Sequence, residues 1–272
     1  MTPSVDTPLE YHRPDSLDAA LALLARPAPV TRPLAGGTGL RGGNRPAAVV
    51  DLAQLPLSGV ASRDTVWRIG ATTTLEALAA ASELPAALRR AATRHAPRNI
   101  RQRATIGGVI ARGSSGPLLA GLLALDARLA IEPGGLLVPL EVYLQGYDRP
   151  GHLIVAVEFP QERDFGVSEI SRAPMDDPIM VIAVGAASTA DGLRNVIAAA
   201  GGADQPAFLL PGAAQLLAGA ADADLAALAA VTPDLPWQTD GRASAEYRSA
   251  MTPILLQRAV SELLAAEVNH AG

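Results

Sequence analysis

Two short glycine-rich segments carry the residues best suited to bind a small anion. The first contains Gly36-Gly37 followed by Thr38, and the second contains Gly107-Gly108, which begins two residues after Thr105. Glycine has no β-carbon, so the amides of successive residues can approach an anion directly, as they do in phosphate-binding nests. We therefore predict that the two segments hold one diphosphate from both sides.

The first segment also fits the pattern G-x-G-x-x-G, from Gly37 to Gly42. In a Rossmann fold this pattern opens a helix, and an acidic residue follows about 20 residues later. Here Pro46 ends the loop early, and Asp51 comes only nine residues after Gly42. A Rossmann site and a plain glycine-rich turn remain alternatives at this point.

The composition excludes several other classes of function. The chain of 272 residues has no cysteine, so it cannot form disulfides or hold an iron–sulfur cluster through thiolates. All 22 basic residues are arginine, which removes the lysine of a P-loop or of a Schiff base. A net charge of −5 argues against nucleic acid. The four histidines are scattered, which predicts no metal site.

Hydrophobic periodicity and capping residues place the elements around these segments. Asp15 and Ser16 provide a cap for the first helix, a Thr73–Glu76 capping box opens the second, and Asp191-Gly192 marks a hairpin. The polar segment 160–178 is expected to be a linker or connecting hairpin, and Pro253 should break or kink the last helix. Helices are predicted at 17–24, 75–82, 85–95, 213–220, 222–230 and 243–268, and strands at 30–34, 48–52, 66–71, 127–132, 153–159, 179–187 and 193–199.

Several motifs, taken together, resemble one known family. They are Tyr11-His12-Arg13-Pro14, the segment Leu34–Leu40, the segment Arg98–Gly108, Leu122–Ala127, and Ala243–Arg248. In this order and at similar spacing they resemble the FAD-binding medium subunit of molybdenum hydroxylases. That group includes aerobic carbon monoxide dehydrogenase and xanthine dehydrogenase, and the resemblance covers nearly the whole chain.

The resemblance implies an α+β fold in two domains. Residues 1–165 are expected to form a PCMH-type FAD-binding domain, with a small N-terminal α/β unit at about 1–57 and a middle mixed-sheet unit at 58–165. Residues 166–272 are expected to form a C-terminal antiparallel sheet with helices.

It also implies a role in electron transfer. The FAD on this chain would take electrons from [2Fe-2S] clusters of a small subunit and pass them to an external acceptor. A molybdopterin large subunit would oxidise the substrate, so no catalytic residue is expected here. We expect a cytoplasmic dimer of heterotrimers with no nucleic acid and no transmembrane segment. The alternatives are a structural or adaptor subunit with weakened or lost FAD binding, and a stand-alone flavin oxidase.

The resemblance assigns cofactor binding mainly to the two glycine segments. His95, ten residues before the second segment, matches a flavin-contacting position, and Ile154 matches an apolar position near the isoalloxazine ring. The implied residues are Leu34, Ala35, Gly36, Gly37, Thr38, Gly39, Leu40, His95, Thr105, Ile106, Gly107, Gly108, Val109, Ser114 and Ile154.

The chain departs from the family pattern after the second glycine pair. Val109 stands where the family usually has asparagine, and the acidic residue that normally follows is missing. Ser114 or Ser115 could replace the lost contacts. Arg112, absent from the usual pattern, either reaches a phosphate, which suits the arginine fork, or is a solvated loop charge.

Overall fold

The structure is a computed structural model that describes residues 10–39, 46–113, 116–147, 150–173, 176–189, 192–202, 205–210, 212, 215, 217 and 235–268. Leu40, Ser114 and Ser115 lie outside the described residues. The helices expected at 213–220 and 222–230 also fall almost entirely outside them.

The N-terminal unit is a three-stranded parallel sheet with the order β1-β3-β2. Its strands are β1 (Glu10–His12), β2 (Thr31–Leu34) and β3 (Ala48–Asp51). Helix α1 (Leu17–Ala25) connects β1 to β2, and the hydroxyl of Ser16 accepts the amide of Ala19, which confirms the predicted cap. The first glycine segment begins where β2 ends, so this small sheet positions it.

The middle unit contains a five-stranded sheet with the order β4-β5-β8-β6-β7. Its strands are β4 (Val60–Arg63), β5 (Val66–Gly70), β6 (Arg128–Glu132), β7 (Leu136–Pro139) and β8 (Leu153–Pro160). All strand pairings in this sheet are antiparallel, so the prediction of a mixed sheet for this unit is wrong. The predicted α+β class is confirmed.

Six helices accompany this sheet among the described residues: α2 (Leu75–Ala80), α3 (Ala86–His95), α4 (Arg98–Arg101), α5 (Ile106–Arg112), α6 (Pro117–Ala124) and α7 (Leu140–Leu144). The cap of α2 is Thr74, whose hydroxyl accepts the amide of Ala77, and not Thr73. Thr73 instead accepts the amide of Gly59, and Glu76 binds arginines of α4. The predicted capping box is therefore wrong: the cap lies one residue later than predicted, and Glu76 has other partners.

The C-terminal part is a four-stranded antiparallel sheet with the order β12-β11-β10-β9. Its elements are β9 (Arg163–Ile170), β10 (Met180–Thr189), β11 (Gly192–Gly202), β12 (Gln205–Leu209) and helix α8 (Ala245–Val268). The β10–β11 hairpin is confirmed. The linker alternative for 160–178 is wrong, because this segment contains β9, which pairs antiparallel with β10. The break alternative at Pro253 is wrong because α8 runs through that residue, and a kink there stays a prediction.

Both faces of the C-terminal sheet are covered by helices, which explains the continuous apolar run in β10. Side chains alternate between the faces of a strand. Val181 and Ala183 pack with α6 and the middle unit, whereas Ile182 and Val184 pack with α8. Helix α6 is buried along its whole length.

Among the described residues, no single helix is long and apolar enough to cross a membrane. Helices α5 and α6 reach that length and apolar character only together, as a pair bent by 93°.

Candidate functional site

The predicted site residues surround one cavity of about 1200 Å³. It opens where the N-terminal unit, the middle unit and the loop after β9 meet. Ile106 is an exception, because its side chain is completely buried in the core of the middle unit. The other described members of the predicted set line the cavity, namely Leu34, Ala35, Gly36, Gly37, Thr38, Gly39, His95, Thr105, Gly107, Gly108, Val109 and Ile154.

The first glycine segment packs directly against the chain that leads into the second. A β-carbon on Gly36 would collide with the carbonyl oxygen of Arg103. Glycine is therefore required at residue 36 for this close approach of two backbones. The contact brings two segments that are distant in sequence to the same wall of the cavity.

The second segment is the start of helix α5, and most of its amides are already bonded. The amide of Ile106 donates to the carbonyl of Thr73 at 3.0 Å, and that of Gly107 donates to Ala71 at 2.9 Å. The amide of Gly108 donates to the capping hydroxyl of Thr105 at 3.2 Å. The amide nest predicted for this segment is therefore wrong, and contact of its residues with a cofactor stays a prediction.

The reason for glycine at residue 107 is packing. A β-carbon there would lie 2.8 Å from both the β-carbon and the carbonyl oxygen of Ala71. Gly107 thus lets the start of α5, which lines the cavity, sit against the end of β5.

The first segment, in contrast, presents unbonded amides. Within the described part of the chain, no hydrogen bond is made by the amides of residues 36–39. Gly37 has a φ of +70°, the left-handed conformation that turns successive amides toward one side. This segment therefore keeps the donors that an anion requires.

His95 lies at the end of α3, half-buried in the cavity wall. Burial lowers the pKa of His95; the charge of Asp177 opposes that shift and the charge of Arg112 adds to it. Asp176 and Asp177 belong to the loop between β9 and β10 and line the same cavity. From the sequence this pair is expected to be a solvated turn, and both residues are exposed, yet the packing of the two sheets brings them to the site.

The wall around Ile154 contains two aromatic residues that the sequence did not reveal, Tyr143 and His152. The hydroxyl of Tyr143 lies 3.4 Å from Nε2 of His152, and the rings meet edge to face at 5.8 Å. Burial raises the pKa of the Tyr143 phenol, with Tyr147 adding to the effect. Their spacing along the chain follows no ligand-binding pattern, so no local signal could have found them.

Ion pairs fix helix α3, and with it His95, against the C-terminal part. Arg94 pairs with Glu169 of β9, and Arg90 pairs with Glu262 of α8. The second carboxylate oxygen of Glu262 accepts the amide of Val167 at 2.7 Å. Helix α3, which carries His95, is thus tied to both a strand and the helix of the C-terminal part.

Comparison with known proteins gives a consistent result. Residues 7–162 match the model of the family described as FAD binding domain in molybdopterin dehydrogenase. The carbon monoxide dehydrogenase medium chain of Afipia carboxidovorans is 32% identical, over 96% of this chain and 98% of that one.

Solved structures agree with the sequence matches. A chain of the reconstituted CO dehydrogenase from Oligotropha carboxidovorans has a TM-score of 0.83 and 29% identity, covering 94% of this chain and 98% of its own length. A chain of quinoline 2-oxidoreductase from Pseudomonas putida 86 has a TM-score of 0.81 at 22% identity, covering 94% and 97%, and shares the fold. The family match favours the FAD-binding interpretation of the first glycine segment over a Rossmann site.

The cavity fits a long dinucleotide such as FAD. Its volume exceeds the roughly 300–1000 Å³ of most small-molecule pockets. A β-carbon on Gly113 would meet nothing within 4 Å, and one on Gly39 would meet only the side chain of Arg112 at 3.9 Å. Open backbone and unbonded amides together form a cradle that side chains would otherwise fill.

Proposed function

This chain belongs to the family of FAD-binding domains in molybdopterin dehydrogenases and is an FAD-binding medium subunit of the molybdenum hydroxylase type, and on that basis we propose that it passes electrons from a partner's [2Fe-2S] clusters to an external acceptor. When bound, FAD supplies the ability to take electrons one at a time and to give them up to a different acceptor. The protein contributes the position and the electrostatic environment of that cofactor.

One observation carries the proposal more than any other: the backbone contact between Gly36 and Arg103. It brings the segment with unbonded amides next to the helix that begins at Ile106, and both face one cavity. We propose that Leu34–Gly39 hold the diphosphate and that Thr105, Gly107, Gly108 and Val109 form the adjoining part of the wall. His95 and Ile154 then line the remainder.

The proposal requires partner subunits. Because the sequence has no cysteine, the clusters must be held by a separate small subunit, and substrate oxidation belongs to a molybdopterin large subunit. A dimer of heterotrimers and a cytoplasmic location remain predictions of this proposal. We also propose a domain boundary near residue 165, which is supported by the end of the family match at 162 and by the start of the second sheet at Arg163.

The first test is flavin content. The full chain is purified with whatever co-purifies, its visible absorbance spectrum is recorded, and any flavin is released with acid and identified. Close to one FAD per chain is expected. A colourless chain that still assembles with larger subunits would overturn the proposal in favour of the adaptor alternative.

The second test concerns the route of the electrons. Dithionite is added anaerobically in a stopped-flow instrument to the complex and to the isolated chain, and the flavin band is followed. Faster bleaching in the complex is expected, because the clusters offer the electrons a path to the flavin. Equal rates would contradict the proposed route even if FAD is present.

A further inference from the structure

Two arginine side chains, those of Arg103 and Arg112, lie along the first glycine segment. The sequence leaves Arg112 open between a phosphate contact and a solvated charge, and it assigns no role at the site to the Arg103 side chain. Nη2 of Arg103 is 3.6 Å from the position of a β-carbon on Gly37. Cδ of Arg112 is 3.9 Å from the position of a β-carbon on Gly39. The two arginines therefore flank the stretch of backbone that carries the unbonded amides.

These arginines have no carboxylate partner among the described residues, unlike four arginines of α3 and α4. Arg90, Arg94, Arg98 and Arg101 each pair with a glutamate. For Arg103 and Arg112, the described residues provide no ion pair and no side-chain hydrogen bond, and both side chains are exposed. The positive charge beside the first segment is thus not neutralised by the described part of the protein.

The acidic residues of the cavity do not compensate that charge. Asp176 and Asp177 line the cavity from the loop before β10, and the carboxylate of Asp177 lies 3.9 Å from Arg242. Arg112 acts on the pKa of His95, so its charge reaches into the same space. Arg112 lines the cavity, and the guanidinium of Arg103 lies beside Gly37, which also lines it. A ligand along residues 37–39 would therefore have an arginine next to each end of that stretch.

Arginine is well matched to a phosphate in such a place. Its planar guanidinium presents several donors in a fixed fork, and charge-assisted hydrogen bonds are about twice as strong as neutral ones. The amides of Ile106, Gly107 and Gly108 are engaged elsewhere, so helix α5 cannot supply the second half of a backbone nest.

We infer that Arg103 and Arg112, together with the amides of residues 36–39, form the diphosphate clamp of this chain. The inference rests on the proposed function in that FAD is the ligand that carries the diphosphate. Arg103, before the second glycine pair, and Arg112, after it, bind by side-chain charge, whereas Gly107 serves packing. Selectivity for FAD over riboflavin then comes largely from these two arginines.

The test compares two ligands that contain a diphosphate, FAD and ADP, with riboflavin, which has none. The full chain, freed of flavin, is titrated with FAD, ADP and riboflavin. The variants are Arg103→Gln, Arg112→Gln and the double variant. Arg63→Gln is the control, because Arg63 is exposed, does not line the cavity and is not among the neighbours of Gly37 or Gly39. Thermal unfolding of each variant checks that it is folded.

Each single substitution is expected to weaken FAD and ADP about tenfold, the scale of one charge-assisted hydrogen bond. Riboflavin affinity and the control variant should not change. Raising the salt concentration should weaken FAD binding to the wild type more than to the double variant, since charge carries less of the variant's affinity.

The outcomes separate this inference from the proposed function. Unchanged FAD and ADP affinity in the double variant overturns the clamp and leaves the flavoprotein role intact. A wild type that binds ADP but no flavin overturns the flavoprotein role, while loss of ADP in the variants still supports the clamp. A wild type that binds neither FAD nor ADP overturns both.

Discussion

The carbonyl oxygen of Arg103 occupies the space in which a β-carbon on residue 36 would have to lie. The two parts of the cavity wall are therefore joined by backbone, without an intervening side chain. Small changes at residue 36 must move one of the two segments, because neither backbone can rotate out of the way as a side chain could.

Gly36→Ala is accordingly expected to lower the stability of the chain by about 1–3 kcal/mol, the usual range for overpacking. It should also weaken FAD binding by at least about tenfold, because the first segment shifts from its position. Thermal unfolding and FAD titration measure the two effects. Gly241→Ala is the matched control, because a β-carbon there would meet nothing within 4 Å and Gly241 does not line the cavity. Equal behaviour of the two variants would contradict the role of the contact.

Glu262 joins helix α3 to the C-terminal sheet through two different interactions. Its pair with Arg90 is partly exposed, at 51% and 32%, and contributes roughly 0–1 kcal/mol. Its bond to the amide of Val167 satisfies a donor on the edge strand β9. Glu262→Ala should therefore lower stability by about 1–3 kcal/mol in denaturant unfolding.

Glu262→Gln separates the two contributions. The amide oxygen can still accept the amide of Val167, so this variant should stay within about 1 kcal/mol of the wild type. Equal losses in the glutamine and alanine variants would show that the charge, and not the accepted hydrogen bond, holds α3 in place.

The sequence predicts the elements whose causes are local. Ser16 caps the helix that immediately follows it, and Asp191-Gly192 lies between two β-prone runs, so both signals act within a few residues. The local sequence cannot distinguish Thr73 from Thr74 as the cap of α2. Either could cap α2, and the choice is decided by Gly59, which binds Thr73 from another part of the chain.

Strand β9 could not be predicted because its polar residues have distant partners. Arg163 is 5% exposed, and its guanidinium donates to the carbonyls of Asn195 and Ala124 at 2.8 Å. Nothing near residue 163 in the sequence indicates such burial. The glycine pairs show the same limit: the sequence marks Gly107 as important, but only the contact with Ala71 shows that packing is the reason.

The stability of the chain should depend on pH through His95. Its pKa in the folded chain is below the usual 6.5, mainly because it is buried. The unfolded chain therefore takes up a proton first as the pH falls. Stability should be full above pH 6.5, fall as the pH drops below it, and level off below the lowered pKa.

His95→Gln removes that titration. Urea unfolding of both proteins between about pH 8 and pH 5 measures the difference. The variant should lose less stability than the wild type over the acidic part of this range. Parallel curves would mean that the protonation of His95 is not linked to folding.

Val109 provides a test of the departure from the family pattern. It lines the cavity but is only 5% exposed and belongs to the core of the middle unit. Val109→Asn is expected to tighten FAD by up to about tenfold through one added hydrogen bond. The same change should lower the stability of the FAD-free chain by about 1–3 kcal/mol, because a polar amide is placed where methyl groups pack.

Val109→Ala, which removes the methyl groups without adding an amide, is the control for FAD titration and thermal unfolding. If both variants bind FAD equally, the missing asparagine contact has been taken over by other groups, with Arg112 the first to examine.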